Sequence, residues 1–308
     1  MTGKAEMITV LGHTAGGKTS LAAHVASRLN GEVISADSRQ VYRDMTIGTG
    51  KDYADYSVEG MQVPYHLVDI VDAGYEYNVY EFQQDFVSVF HEVRKRDKLP
   101  VLCGGTGMYI ESILQRYNMV NVPVNEKLRA ELNNKNLESL IGILRQYTVL
   151  HNQTDTTSKK RAIRAIEIAE YLKIHGDSVP QVPRISSLNI GVAYDRETRR
   201  NRITRRLEQR IREGMIGEAE ALVKKGVTYE QLEYYGLEYK FLARYLQGSL
   251  DRDEMIAGLN TAIHRFAKRQ MTYFRGMERR GIKIHWLEGS LPLEEKVEQV
   301  TGLYYRTT

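Results

Sequence analysis

The sequence predicts an α/β fold, a parallel sheet flanked by helices and interrupted by an α-helical insertion, and three observations carry that prediction. Apolar β-type runs recur at Met7–Leu11, Glu32–Ser35, His66–Ile70, Pro100–Cys103, Leu188–Ala193 and Lys283–Trp286. Helical patterns fill most intervals between the first four runs, the alternation expected of parallel strands joined by crossover helices. Between the fourth and fifth runs, Asn121 to Ser187 lacks strand pattern but shows helical periodicity in Glu126–Leu132, Leu137–Leu150 and Lys159–Ile174. Gly176, Pro180 and Pro183 mark the loop that returns to the sheet. The chain of 308 residues exceeds one average domain, so a second lobe is expected. The predicted division is 1–120 for the first part of the core, 121–187 for the helical insertion and 188–308 for completion of the core.

The first run leads into Gly12-His13-Thr14-Ala15-Gly16-Gly17-Lys18-Thr19, which fits Gly-x4-Gly-Lys-Ser/Thr, and a helix-like segment follows from Ser20. Strand, glycine-rich turn and helix together define a P-loop NTPase-like phosphate cradle, in which backbone N–H groups converge on an anion. Gly12, Thr14, Ala15, Gly16, Gly17, Lys18 and Thr19 are its candidate residues. Lys18 supplies a point cation, and the Thr19 hydroxyl is placed to hold a magnesium ion. The motif says that phosphate is bound, not which molecule carries it.

Composition narrows the class. With 42% hydrophobic and 27% charged residues the chain reads as an ordinary soluble protein, and no run approaches the ~18 apolar residues of a membrane span. The N-terminus reaches a core strand almost at once, leaving no room for a signal peptide, so a cytoplasmic location is expected. A single cysteine, Cys103, excludes an intramolecular disulfide and a multi-cysteine zinc cluster, and its place in an apolar run predicts a small buried residue. The net charge is only +4, but eight arginines and two acids lie between Arg196 and Arg212. Further basic clusters, Lys159-Lys160-Arg161 with Arg164 and Arg265 with Lys268-Arg269, make a polyanionic partner plausible.

A long helix is expected from Asp195 to Lys225, with Ile203, Leu207, Ile211 and Met215 facing the core and Arg202, Arg206 and Arg210 forming a second row. Some of that row is expected to contact an anion. In open α/β sheets ligands sit beyond the carboxyl ends of the strands, so Asp37, just after the second run, should emerge beside the phosphate loop. A carboxylate there suits a general base or a magnesium ligand, and Asp37 or Ser38 would equally serve as a helix N-cap. The fourth run ends in Gly104-Gly105-Thr106 without an acidic residue, and no Asn-Lys-x-Asp guanine reader occurs. Both absences weigh against an ordinary nucleotide hydrolase.

Taken together, Gly12–Thr19, Ile34-Ser35-Ala36-Asp37-Ser38, Ile47-Gly48-Thr49-Gly50-Lys51, His66-Leu67-Val68-Asp69, Gly104-Gly105-Thr106 and Ala267–Thr272 resemble the tRNA dimethylallyltransferases, in family order over nearly the whole chain. The resemblance implies transfer of a dimethylallyl (isopentenyl) group from dimethylallyl diphosphate to N6 of the adenosine next to the anticodon, in tRNAs reading codons that begin with U. It implies Asp37 as general base, Thr106 to orient the amine, and Arg210 beside the diphosphate. Asp37, Ser38, Arg39, Gln40, Thr106, Arg129, Lys160, Arg161 and Arg164 would touch the anticodon stem-loop of tRNA. Magnesium, no membrane and a monomer complete the expectation. The segment Ala267–Thr272 reads equally as a helix packed on the sheet. His13 and Gly16 stand where the common loop has Pro and Ser; His151-Asn152 lacks its usual proline; and Glu238, after Gly236-Leu237, replaces a cation that helps receive tRNA. Two alternatives stay open: prenyl transfer to free AMP, ADP or ATP, and a P-loop small-molecule kinase using Asp37 as base. A third is a non-catalytic RNA-binding protein.

Overall fold

The computed structural model describes residues 5–147, 156–175 and 182–306. Two compact units emerge: Met1–Arg116 with Pro183–Thr308, and Tyr117–Val182. The first begins with strand β1 (Met7–Gly12), helix α1 (Lys18–Arg28) and strand β2 (Gly31–Ser35). A small antiparallel hairpin of β3 (Ser57–Val58) and β4 (Met61–Gln62) precedes β5 (Tyr65–His66). Then come α2 (Val79–Lys95), opened by a capping box between Asn78 and Glu81, β6 (Leu99–Gly104) and α3 (Gly107–Leu114).

The second unit contains α4 (Glu126–Asn133), α5 (Leu137–Tyr147) and α6 (Lys159–His175), which enclose a small apolar core of Leu132, Leu140, Leu144, Ala162, Ile163 and Ile166. The unit is bounded by Tyr117 and Val182 rather than by 121 and 187, because Ser187 already pairs in the sheet. Leu150, His151–Asp155, Gly176 and Pro180 lie outside the described residues.

The core resumes with β7 (Ser187–Ala193), α7 (Arg196–Arg212), α8 (Met215–Lys224), α9 (Tyr229–Tyr234), α10 (Leu237–Leu246) and α11 (Arg252–Arg279), and ends with β8 (His285–Glu288) and α12 (Leu293–Arg306). The single helix expected over Asp195–Lys225 is two helices: Gly214, at φ 102°, terminates α7 and caps α8 in a conformation that a side chain would oppose. The expected run His66–Ile70 pairs only through His66, since Leu67 and Asp69 turn to positive φ. The last strand starts at His285, not Lys283.

The sheet order is β5-β2-β6-β1-β7-β8, and every neighbouring pair is parallel. Strands β1, β2 and β6 are buried at every position, as expected when helices cover both faces. Alternation sorts their side chains: Met7, Leu11, Ile34 and Leu102 join the core beneath α2, α3 and α7–α11, whereas Ile8, Val10, Val33 and Val101 join that beneath α1 and α12. From β1 the chain goes to β2 on one side, and after β6 it crosses to β7 on the other. The carboxyl end of β1 is therefore a topological switch point, where a crevice forms. Among the described residues no helix is long and apolar enough to cross a membrane.

Within the helical unit one buried carboxylate organises the polar contacts. Glu167 on α6 accepts from Arg129 Nε and Nη2 (3.1 and 3.0 Å), from the Asn125 N–H (2.7 Å) and from Arg164 Nη1. Burial pushes its pKa up, but the hydrogen bonds from Arg129, Asn125 and Arg164 outweigh burial and hold it below the usual carboxylate range. A depressed folded-state pKa contributes stability that is present above the unfolded pKa and lost as pH falls through the folded one. Glu167→Gln should therefore cost about 2 kcal/mol near neutrality, since hydrogen bonds to charged groups are weakened and the half-exposed arginines resolvate. Urea denaturation monitored on the helical unit checks this: the gap between wild type and variant should narrow as pH falls, and a pH-independent gap would contradict it.

Candidate active site

The phosphate loop spans the turn between β1 and α1. Ala15 (φ 58°) and Gly17 (φ 72°) both adopt left-handed backbone on either side of Gly16, and Gly17 is the N-cap of α1. Such alternation turns successive N–H groups toward one point and makes an anion-binding nest at a helix N-terminus. For Ala15 the conformation costs about 1 kcal/mol, and two bonds hold it. Arg202 Nε donates to the Ala15 carbonyl (3.0 Å), and the Thr14 N–H donates to Gln270 Oε1 (2.9 Å). The Thr14 N–H is thus engaged within the protein, which leaves the nest to the residues after it. His13 is buried, and burial lowers its pKa to about 4; the neutral ring donates Nδ1–H to the Thr14 carbonyl at 2.6 Å.

Half-buried Lys18 donates from Nζ to the His13 carbonyl (2.8 Å), and burial lowers its pKa with Cys103 and Asp37 opposing. Cys103 is itself buried in β6, which pushes its thiol up to about 12, the inert strand residue expected.

The arginine row of α7 divides. Arg202 lies over the Tyr194 ring, 4.7 Å from its centroid. Arg206 pairs with Asp52 (2.6 Å). Arg210 is buried, and that burial, followed by the charge of Arg206, lowers its pKa to about 10. Its guanidinium lies against Gly50, where an added Cβ would come within 1.7 Å of Arg210 Nη2. Gly50 also holds φ 70°, so both space and backbone require glycine there. The loop carrying Gly50 is fixed by one carboxylate: Glu218 on α8 accepts from the N–H groups of Thr46, Ile47 and Gly48 (2.8, 2.7 and 2.8 Å) and from the Tyr239 hydroxyl (2.6 Å).

Asp37 and Thr106 come together at the ends of β2 and β6. The Ala36 N–H donates to the Cys103 carbonyl (2.7 Å), and the Thr106 N–H to the Ala36 carbonyl (3.3 Å). Thr106 Oγ1 accepts from the Ser38 N–H (3.0 Å) and stands at the N-cap position of α3 without a capping bond. Asp37 Oδ1 accepts from the Arg39 N–H (2.9 Å), which orients the carboxylate locally without capping a helix. Gln40 Nε2 donates to the Gly50 carbonyl (3.1 Å), and Arg39 lies 5.3 Å from the Tyr234 ring centroid.

Asp37, Thr106, Lys18, Thr19, Arg210 and Gln270 line one cavity of about 400 Å³. A second cavity, about 870 Å³, opens on the outer side of the loop and is lined by Gly16, Gly17, Arg202, Arg205 and Lys296. The two share Lys18, Thr19, Arg206 and Arg210. Glu238 lines the smaller cavity near Arg210; burial raises its pKa, and the Arg210 charge opposes that rise. In the helical unit, Lys160 and Arg161 are exposed, whereas Arg129 and Arg164 are bound to Glu167.

Gln270 was not singled out by the sequence, although it lies within Ala267–Thr272. It is buried on α11, accepts from Thr14 through Oε1 and donates from Nε2 to the Gly105 carbonyl (2.9 Å), so one amide joins the phosphate loop to the loop bearing Thr106. Its signal was a polar residue on the apolar face marked by Ile263, Ala267, Met271 and Phe274.

A phosphate-loop motif at a switch point, with a buried cation and a carboxylate on the same cavity, defines a phosphate-loop enzyme. A family model described as IPP transferase matches residues 40–277, and the chain belongs to that family. It is 56% identical to tRNA dimethylallyltransferase 1 of Parabacteroides distasonis over 292 residues, 95% of each chain. It is 56% identical to tRNA dimethylallyltransferase 2 of Phocaeicola vulgatus over 302 residues, 98% of each. Among solved structures, the tRNA isopentenylpyrophosphate transferase of Bacillus halodurans superposes with a TM-score of 0.72 at 32% identity, covering 99% of this chain and 97% of that one.

Gln270→Leu fills the same space but leaves the Thr14 N–H and the Gly105 carbonyl unsatisfied. It should cost about 2 kcal/mol, the lower range for two orphaned groups. Equilibrium urea unfolding checks this, and an unchanged midpoint would show that Gln270 does not couple the loops.

Proposed function

We propose that this chain is a cytoplasmic, monomeric enzyme that transfers the dimethylallyl group of dimethylallyl diphosphate to N6 of the adenosine next to the anticodon, in tRNAs reading codons that begin with U. The observation that carries the reading is that Asp37 and Thr106 share one cavity with Lys18, Thr19 and Arg210. A weak nucleophile and a leaving diphosphate need these groups around one space.

In the reaction the N6 lone pair attacks the allylic carbon as its C–O bond breaks, so positive charge builds on carbon and negative charge on diphosphate. The nest N–H groups from Ala15 to Thr19, Lys18, Arg206 and Arg210 stabilise the departing diphosphate, and they are preorganised for it. Asp37 takes the N6 proton, and Thr106 orients the amine. Tyr56, Leu237, Ile263 and Phe266, which also line the cavity, suit the apolar tail. Thr19 would hold magnesium, which when bound neutralises diphosphate charge. No group of three or more His, Cys, Asp or Glu side chains could hold a metal among the described residues, so the ion's remaining ligands would be diphosphate oxygens and water, as magnesium prefers.

The acceptor base has to leave its stack to enter such a cavity. Arg39 over Tyr234 and Arg269 over Phe266 line it with planar surfaces suited to nucleotide bases. Ser38, Arg39 and Gln40 are available on its wall. Of the four basic residues expected to touch tRNA in the helical unit, Lys160 and Arg161 are exposed, Arg161 donating to Thr157 Oγ1 (3.1 Å), whereas Arg129 and Arg164 would act through the geometry that Glu167 gives them. The names of these two relatives and the likeness to the Bacillus halodurans structure support the same substrate class.

Incubation of the protein with magnesium, dimethylallyl diphosphate and either bulk tRNA or AMP, followed by mass spectrometry, should give N6-isopentenyladenine in the tRNA arm only. Product from AMP would favour the free-nucleotide enzyme instead. Asp37→Ala should slow transfer on the order of 10²–10⁴-fold with the fold retained, as for loss of a general base, and a fully active variant would remove that role. Lys160→Ala with Arg161→Ala should weaken tRNA binding and lower the slope of log affinity against log salt by roughly 1–2, about one for each phosphate contact removed. An unchanged salt titration would contradict the helical unit as the tRNA grip.

A further inference from the structure

Glu238 is the second residue of α10 and follows Gly236 at the wall of the acceptor cavity. It also shares with Thr14, Ala15, Arg206 and Arg210 a smaller recess of about 10 Å³, directly behind the phosphate loop. Burial raises the pKa of its carboxylate and Asp37 adds to that rise, while the two arginines that share the recess, Arg210 first and then Arg206, favour the ionised form. The relation is mutual, because among the carboxylates acting on Arg210 the influence of Glu238 exceeds those of Asp52 and Glu213. Arg206 has Asp52 as its direct partner, whereas no carboxylate closes a salt bridge on Arg210 among the described residues. A buried guanidinium that shares its recess with a carboxylate, without a salt bridge to it, is compensated without being locked.

We infer that Glu238 is the resident counter-anion of Arg210, competing with diphosphate for that guanidinium and so setting how tightly the cradle holds it. The inference rests on the reading of the cradle as a diphosphate site. Diphosphate brings several negative charges into the larger cavity that Arg210 and Glu238 both line, so the carboxylate weakens its binding by like-charge repulsion and by screening Arg210. Substrate and product are both diphosphates, and binding both more tightly would not speed the chemical step. A counter-anion that tempers the grip favours departure of the product, often the slow event in a turnover.

Glu238→Gln preserves shape and removes the charge. The inhibition constant of inorganic pyrophosphate, measured with magnesium, should fall on the order of tenfold, because charges interacting at partly buried sites exceed those in water severalfold. The KM for dimethylallyl diphosphate should fall in parallel while the KM for tRNA holds. Glu238→Asp, which keeps the charge, should stay near wild type. In an Arg210→Met background the gain from Glu238→Gln should shrink, since the group it competes for is gone. An unchanged or raised pyrophosphate constant in Glu238→Gln, a change confined to the tRNA KM, or an equal gain without Arg210 would each overturn the inference. The underlying reading fails differently: pyrophosphate would then not compete with the substrate of the wild type, or Arg210→Met would leave its inhibition constant unmoved.

Discussion

The buried charge of Arg210 is the constraint around which the site is built. A guanidinium taken out of water is costly unless anions or well-placed dipoles compensate it, and this one has no direct carboxylate partner among the described residues. Its position is enforced instead by packing: Gly50 leaves the only shape that admits the guanidinium, and Glu218 fixes the loop that carries Gly50 through three backbone N–H groups. Tyr239, bonded to the same carboxylate, ties α10 and hence Glu238 to that arrangement. Stability is thereby invested in holding a cation where the proposed diphosphate would arrive, the usual form of electrostatic preorganisation.

The fold supplies the other half. Parallel strands end on one side of the sheet, and the reversal of connections at β1 opens the crevice there. Loops emerging from β1, β2 and β6 would still be independent of one another. The Gln270 amide removes that freedom between the first and the third, and Thr106 removes it between the second and the third through the Ser38 N–H. The three loops are thus tied to one another, as the proposed reaction, with two substrates in line, would require.

What was legible in the sequence was local. Gly12–Thr19 is a contiguous pattern whose strand, turn and helix are all coded within a few residues, and Asp37 and Thr106 were placed by the rule that strand ends carry function. Helices of the insertion were legible from periodicity, because α5 and α6 bury one face on each other. Most of the misplaced features depend on contacts far apart in sequence, whereas the break at Gly214 is local backbone geometry and Arg164 lies only three residues from Glu167. Asp69 leaves the expected strand to meet Lys51, and α7 stops at Gly214 although its apolar stripe continues to Met215. Gly50 beneath Arg210 and Gln270 between two loops could not be read from spacing, since neither partner is a neighbour in the chain. Arg129 and Arg164 read as an RNA-facing pair because a basic residue on a helix gives no sign that a buried glutamate already holds it.

A phosphate loop is more often thought of as holding a phosphoryl group in transit, yet nothing in its geometry requires that. Its N–H groups and Lys18 stabilise negative charge wherever it grows on the bound polyphosphate. In phosphoryl transfer that charge is spread over the moving group; in alkyl transfer it collects on the group left behind. On the proposed reading the difference lies across the cavity, where Asp37, Thr106 and an apolar wall would stand in place of the second carboxylate and ordered water that hydrolysis would use. Nitrogen as the acceptor also explains why the base is a plain carboxylate. In the proposed reaction the N6 amine would lose its proton readily once the new C–N bond places positive charge on it, so a carboxylate positioned by the Arg39 N–H would suffice, and breaking the allylic C–O bond would be the harder part. The cations of the cavity, Lys18, Arg206 and Arg210, accordingly stand on the side proposed for diphosphate, where Glu238 would moderate them.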